Sequence, residues 1–203
     1  MIFSALIVST VIGSGILIVL YSLYNGIPPM PTLPKVKRQL LYALSQHEIQ
    51  GTIYELGSGW GTLAFALARR FPECRIIAYE NSLVPYICSQ IYKLIVGTDN
   101  LSIKQENFFN VLLSEANVIV CYLSPDIMAR LQPKLESELR KGTLVLTNTF
   151  SLPSWTSQQT VKVADLYGTK IYIYLSQNTR ESLRQDKANR NQVTKKTCCQ
   201  LLV

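Results

Sequence analysis

The chain has 203 residues, 48% of them hydrophobic, and 20 Lys or Arg against 13 Asp or Glu give a formal net charge of +7. That length holds one domain with a sizeable core plus appendages, and it argues against a multidomain assembly. With a single histidine, His47, no C-x-x-C pair or Cys/His cluster points to a metal, and the positive excess lies mostly in a C-terminal tail without the basic and aromatic platform that nucleic acid requires.

The first appendage is N-terminal. No charged side chain occurs from Met1 to Pro34, and Ile2 to Tyr24 is dominated by Ile, Leu and Val with Ser, Thr and Gly interspersed. About 20 apolar residues cross a bilayer, and this run meets that length. A cleaved signal peptide needs a basic start and a small-residue cleavage site; no Lys or Arg precedes the run, and Ser22-Leu23-Tyr24-Asn25-Gly26 is a poor site. Residues 1–26 are therefore expected to be a single-pass transmembrane anchor rather than a buried core helix. Lys35, Lys37 and Arg38 follow it and no charge precedes it, which places the main domain on the cytoplasmic or equivalent organellar side. Gly13 and Gly15 do not form G-x-x-x-G, so no dimer is inferred. Residues 27–34, with Pro28, Pro29, Pro31 and Pro34, read as a stiff linker. Thr32 is a candidate cap, and Val36, Leu40 and Leu44 share one face of a helix running to about Gln46.

Residues 35–175 alternate between strand and helix signals. Strands are expected at 52–57, 75–80, 101–105, 117–122 and 143–149. Helices are expected at 60–71, 83–96 and 126–139, with a weaker one near 110–115. The alternation predicts an α/β fold, a mostly parallel sheet with helices on both faces. Strands at 159–166 and 170–175 around Tyr167-Gly168-Thr169 predict a hairpin and hence an antiparallel edge. Phe150 to Gln158 is too short for a crossover helix. Residues 176–203 form a basic polar tail, in which six Lys or Arg (positions 180, 184, 187, 190, 195 and 196) face Glu181 and Asp186; it reads as a solvated tail or as a contact for anionic headgroups. Cys198-Cys199 lacks the prenylation pattern, and Cys74, Cys88 and Cys121 read as buried thiols.

The chemistry is expected at Ile53-Tyr54-Glu55-Leu56-Gly57-Ser58-Gly59-Trp60-Gly61. A strand ending in an acidic residue, a glycine loop and a helix start are how an α/β sheet holds a nucleotide-like ligand. A dinucleotide fingerprint needs G-x-G-x-x-G, but here the third glycine comes one residue early. The pattern E-x-G-x-G-x-G resembles motif I of class I S-adenosylmethionine methyltransferases, which makes Glu55, Gly57, Ser58, Gly59 and Gly61 the cofactor loop. Glu80 ends the second strand, where a carboxylate can accept both hydroxyls of a ribose. A nicotinamide site uses the same device, so Glu80 supports S-adenosylmethionine only together with the glycine spacing. Asn107 and Phe108 close the third strand, the region that faces the adenine in class I enzymes. Trp60 lies against the cofactor or forms a lid.

A narrower resemblance rests on two later runs, Pro133-Lys134-Leu135-Glu136-Ser137-Glu138-Leu139 and Asn148-Thr149-Phe150-Ser151-Leu152-Pro153-Ser154-Trp155. With Pro31-Thr32 and the hydrophobic N-terminus, these resemble a family of small membrane-associated protein-lysine methyltransferases. It includes the enzymes that modify the membrane ring of ATP synthase and the adenine nucleotide translocase, with prokaryotic relatives. The resemblance stops short of the tail. It implies a Rossmann-like, seven-stranded sheet whose last strand is antiparallel, S-adenosylmethionine as methyl donor, and the lysine of a protein in or at the membrane as acceptor. In that family the loop reads G-S-G-D-G-R and Asn107 is usually Asp; Trp60 and Thr62 depart from it. No triad or carboxylate pair is visible, so positioning and desolvation of a neutral amine are expected to carry catalysis. Tyr122 and Ser124, after the fourth strand, are the candidates to orient that amine, although Tyr122 is equally well a buried structural residue. Two other readings stay open: methylation of a small molecule or lipid, and a catalytically silent protein that binds S-adenosylmethionine at the membrane.

Overall fold

A computed structural model of the chain describes residues 2–25 and 31–177. The expected β and α signals become α1 (Ile2–Asn25), α2 (Pro34–Ser45), β1 (Thr52–Leu56), α3 (Thr62–Arg70), β2 (Arg75–Glu80), α4 (Leu83–Val96), β3 (Leu101–Gln105), β4 (Val118–Cys121), α5 (Pro125–Glu138), β5 (Leu144–Asn148), β6 (Gln159–Lys162) and β7 (Lys170–Leu175). The strands form one seven-stranded sheet in the order β3-β2-β1-β4-β5-β7-β6. The first five strands in that order are joined by four parallel pairings, β7 runs antiparallel to β5, and β6 runs antiparallel to β7. This is the mostly parallel architecture expected, with the antiparallel hairpin on its far edge.

Period-two alternation explains how both faces are buried. Ile53, Ile76, Ala78, Val118, Val120, Leu144 and Leu146 point to the layer of α2 and α3. Their neighbours Tyr54, Ile77, Ile119, Cys121 and Val145 point to α5, which contributes Met128, Leu131 and Leu135. All the parallel strands therefore end at one carboxyl edge between two apolar layers. A ligand crevice opens at that edge in sheets of this type.

Several boundaries differ from the sequence reading. The helix expected at 60–71 starts at Thr62, because Gly61 occupies the left-handed region at φ 75° as its N-cap. The weak helix near 110–115 is replaced by a 3₁₀ turn, Phe108–Asn110, capped by Asn107. Thr32 does not cap α2: Leu33 holds the N-cap position without a side-chain bond, and Pro34 starts the helix without needing an N–H partner. Strand 159–166 shortens to Gln159–Lys162, because Val163 N–H donates to the Thr169 carbonyl and Asp165 accepts from Thr169, closing the loop early.

The two runs that carried the family resemblance are tied to each other. Trp155 Nε1 donates to Glu136 Oε1 at 2.9 Å, Gln132 Nε2 donates to the same oxygen at 2.8 Å, and Ser154 N–H donates to Gln132 Oε1 at 2.8 Å. Leu152 N–H donates to the Tyr174 hydroxyl at 3.0 Å. The loop after β5 is thus clamped onto α5 and β7, and its first residues are held at the carboxyl edge.

In α1 the described side chains, Phe3, Leu6, Ile7, Val8, Val11, Ile12, Ile16 and Val19 among them, are exposed. Ser9 and Thr10 turn their hydroxyls back to the Leu6 carbonyl at 3.0 and 2.8 Å. The side chains of Ile2, Ser14, Leu17, Ile18 and positions 20–25 lie outside the description. Counted over the described residues alone, no helix is long and apolar enough to cross a membrane. The expected transmembrane span is therefore narrowed to an uncharged helix with an outward apolar surface. The tail beyond residue 177 also lies outside the described residues.

Trp155→Phe removes one donor from the Glu136 carboxylate and leaves the ring's packing. It is expected to cost about 1 kcal/mol, a half-exposed charge-assisted bond, measured by chemical unfolding. Glu136→Ala, which removes the shared acceptor, should cost more.

Candidate active site

The glycine loop sits where β1 reaches the carboxyl edge. Gly57, Gly59 and Gly61 have φ of 76°, 53° and 75°. At Gly57 a Cβ would lie 2.8 Å from Leu123 Cδ2, and at Gly61 it would meet the Phe65 ring at 3.0 Å. Alternate glycines are thus a backbone requirement, which is why the spacing is G-x-G-x-G. Gly57 and Ser58 N–H both donate to the Tyr79 carbonyl at 2.9 Å, which fixes the loop against β2.

Glu80 completes that attachment. Its Oε2 accepts from Gly59 N–H at 2.6 Å and its Oε1 from Ser82 N–H at 2.7 Å. The carboxylate ties the glycine loop to the start of α4 and is buried while doing so. Each oxygen keeps a second lone pair for an outside donor, so the sequence-predicted ribose role fits alongside a structural one.

Glu55 is buried at the end of β1, and its Oε2 has no partner. Burial, then the nearby Glu80 charge, pushes its carboxyl up to about 8, against a partial offset from the Ala64 backbone N–H. Burial thus favours the protonated form of Glu55. Among the described residues the buried side-chain polar atoms without a partner are Glu55 Oε2, Ser58 Oγ, Thr98 Oγ1 and Ser124 Oγ. All but Thr98 belong to the carboxyl edge of β1 and β4. Orphaned buried polar atoms cost free energy unless something arrives to bond them. Hydroxyls, a protonated carboxyl and a carboxylate with free lone pairs suit the amino acid and ribose of S-adenosylmethionine, so the donor set fits that cofactor.

The remaining predicted residues divide. Ser124 is the N-cap of α5, but its hydroxyl makes no capping bond. Tyr122 is half-buried, with its ring parallel to Phe150 at 6.5 Å between centroids and 18° between planes. Asn107 and Phe108 follow β3 at the carboxyl edge. Asn107 Oδ1 accepts from Phe109 N–H at 3.0 Å, capping its own turn, and Phe108 is buried in the α5-side core. Phe109 is only partly buried, with Arg130 over its ring at 4.8 Å. Trp60 is half-buried within the loop.

The sequence reading missed the segment after β5. Thr149 has φ 68°, Phe150 N–H donates to the Asn148 carbonyl at 2.8 Å, and Thr147 Oγ1 donates to the Phe150 carbonyl at 2.7 Å. This is a tight turn with a non-glycine residue in the left-handed region, a strained state that persists only where its surroundings hold it. Thr149 N–H donates to the Lys170 carbonyl at 2.8 Å and supplies part of that hold. The turn delivers Phe150 to Tyr122 across the edge. Nothing in Asn148-Thr149-Phe150 signals a positive φ, because threonine disfavours it.

A parallel sheet in this strand order, with an acidic residue and a G-x-G-x-G loop after β1 and an acidic residue ending β2, defines a class I methyltransferase domain. The sequence profile of the ANTKMT methyltransferase domain matches residues 55–159. The chain is 32% identical over 154 residues to a protein-lysine N-methyltransferase of Saccharolobus islandicus (strain REY15A), covering 73% of this chain and 93% of that protein. It is 29% identical over 137 residues to a lysine N-methyltransferase of Rattus norvegicus that is named for a component of ATP synthase, covering 64% and 61% of the two. Among solved structures, an RNA methyltransferase from Salinibacter ruber in complex with S-adenosyl-L-homocysteine superposes with a TM-score of 0.65 at 28% identity, over 72% of this chain and 93% of that one. The chain belongs to the ANTKMT methyltransferase domain family.

Glu80→Gln keeps one acceptor oxygen but faces an N–H with an NH₂ group. Its affinity for S-adenosylmethionine is expected to fall roughly 10- to 100-fold by calorimetry, the loss of about one charge-assisted bond. Glu55→Gln tests the buried carboxyl. A carboxyl whose folded-state pKa is raised contributes stability below its ordinary range, and that contribution is lost as pH rises toward about 8. Wild type should therefore lose melting temperature relative to Glu55→Gln between pH 5 and 9; parallel curves would contradict the assignment.

Proposed function

We propose that the chain transfers a methyl group from S-adenosylmethionine to the side-chain amine of a lysine in a protein held at a membrane. The observation that carries the donor half is Glu80 gripping the glycine loop while keeping lone pairs free at the carboxyl edge. The acceptor half is supported by relatives whose names specify lysine, the first matched over 93% of its own length.

When bound, S-adenosylmethionine supplies an activated methyl group on a sulfonium sulfur. The chain's own residues do the rest. In this reading Glu80 takes the ribose hydroxyls, and Glu55 and Ser58 bond the amino-acid end. The residues Gly57, Gly59 and Gly61 allow close backbone approach, while Asn107, Phe108 and Phe109 border the base. The acceptor nitrogen must arrive neutral, although a free lysine titrates at about 10.4. Tyr122 and Phe150 form an aromatic wall that limits water at the acceptor. The Ser124 hydroxyl and the backbone carbonyls of 122–124 can accept the amine's N–H and aim its lone pair. Positioning and desolvation of the amine are asked to lower the barrier.

Membrane attachment through α1 is part of the proposal. Its 24 residues carry no charge, and at about 1.5 Å per residue they reach about 36 Å. Its exposed apolar surface needs cover, and hydroxyls bonded back to the helix suit a medium without water. Lys35, Lys37 and Arg38 then put the catalytic domain on the cytoplasmic or equivalent organellar side.

The test supplies labelled S-adenosylmethionine and the intact chain to membranes, then separates protein, lipid and RNA. Label in protein, with mass spectrometry placing it on lysine, is expected. Label confined to lipid or RNA would overturn the lysine assignment, and no turnover to S-adenosylhomocysteine would overturn the enzyme. Thr149→Gly is expected to change stability by less than about 1 kcal/mol, relieved strain opposing added chain entropy. It should lower turnover several-fold by loosening Phe150, with cofactor affinity unchanged.

A further inference from the structure

The hairpin that closes the sheet ends in an unusual tip. Two-stranded connections favour Asn, Asp and Gly, whose backbones or side chains suit the turn and the water around it. Here the loop between β6 and β7 presents Leu166 and Tyr167, 98% and 81% exposed. The loop is not slack. Val163 N–H donates to the Thr169 carbonyl at 2.7 Å, and Thr169 donates to Asp165 through both its N–H and its hydroxyl. Val163 and Thr169 are buried, so the base of the loop is anchored and only its end stands out. The loop's one carboxylate is turned inward onto those donors, which hold it below the usual Asp range. What faces outward is a leucine and a tyrosine flanked by the exposed lysines Lys162 and Lys170.

The position of this tip follows from register. Lys162 pairs with Lys170, and Ile171 pairs with Asn148 at the end of β5. The tip therefore lies at the carboxyl edge, on the same side of the sheet as the glycine loop, Tyr122 and Phe150. The start of α2 lies there too, since Lys35 Nζ donates to the Ala164 carbonyl at 3.3 Å. Leu33, half-exposed, precedes it. Only the positions between Asn25 and Pro34 separate α1 from this point, a reach of about 30 Å at full extension.

We propose that Leu166 and Tyr167 enter the interface of an anionic bilayer, with Lys35, Lys162 and Lys170 on its phosphates, so that the methyl-transfer edge faces the membrane surface. This rests on the reading of α1 as lodged in that membrane. An apolar body with a polar end is what an interface holds best, and tyrosine and leucine between lysines match it. The occupant is a lipid surface because the exposed Leu166 and Tyr167 are flanked by Lys35, Lys162 and Lys170, whose positive charges complement anionic headgroups. The orientation selects the acceptor: a lysine at headgroup level reaches the site, and one far from the membrane does not.

The experiment uses the intact chain in phosphatidylcholine–phosphatidylglycerol vesicles, with and without bromine on the acyl chains near the headgroups. A tryptophan is placed at the tip by Tyr167→Trp or at the exposed far end of α4 by Leu94→Trp, and emission is read as the difference from wild type, which carries Trp60 and Trp155. Flotation with the vesicles reports on α1 separately. The expected result is flotation of every variant, with the Tyr167→Trp emission shifted to the blue and quenched by the brominated lipid at least twofold more than that of Leu94→Trp. Lys162→Glu with Lys170→Glu should reduce that quenching. Flotation with an unquenched Tyr167→Trp overturns the tip and leaves α1 standing. Quenching of Leu94→Trp alone puts the α4 face down instead and also overturns it. A chain that does not float overturns both readings.

Discussion

The Glu80 carboxylate is the interaction on which the site depends. It reaches Gly59 N–H at 2.6 Å and Ser82 N–H at 2.7 Å, so one side chain fixes both the glycine loop after β1 and the start of the helix after β2. Bonds from backbone N–H to a buried carboxylate are about twice as strong as neutral ones. A loop with three positive-φ glycines has high intrinsic freedom; this carboxylate and the Tyr79 carbonyl remove it. The site is thereby preorganised, and a cofactor need not meet the ordering cost itself. Burial at the same edge, and after it the Glu80 charge, raises the Glu55 carboxyl well above its ordinary range.

A second constraint operates across the sheet. The Glu136 carboxylate gathers Trp155 and Gln132, and Gln132 holds Ser154, so the loop after β5 lies fixed on α5. That clamp lets Thr149 persist at φ 68° and sets Phe150 parallel to Tyr122. The second of the two runs that carry the family resemblance thus supplies both the clamp, through Ser154 and Trp155, and the ring it holds against Tyr122, Phe150. Donor and acceptor sides of the site are built by separate devices on separate halves of the sheet.

The sheet was legible because its signals are periodic and local. Buried strands such as Ile53-Tyr54-Glu55-Leu56 and Ile119-Val120-Cys121 read as apolar runs, and the early third glycine separates this loop from a dinucleotide site. Glu80 is found by position, but its bonds to Gly59 and Ser82 are not, because they join residues brought together only by folding. Asn107 reads as a ligand to the base, but the cap its oxygen makes on the turn that follows was not legible, because asparagine serves either purpose. Phe150 and Thr149 are invisible because a strained threonine carries no local signal. The N-terminal run reads from composition as a membrane span; the described residues supply an uncharged helix with exposed apolar side chains, and its membrane role remains a proposal.

The central claim is that Glu80 holds the loop and the cofactor at once. The structure of the chain bound to S-adenosylhomocysteine tests it directly. The account predicts the ribose hydroxyls on the Glu80 carboxylate, with the Gly59 and Ser82 bonds kept and the thioether sulfur turned toward Tyr122 and Phe150. A nucleoside bound elsewhere, or a Glu80 that has released the loop to bind it, would contradict the account.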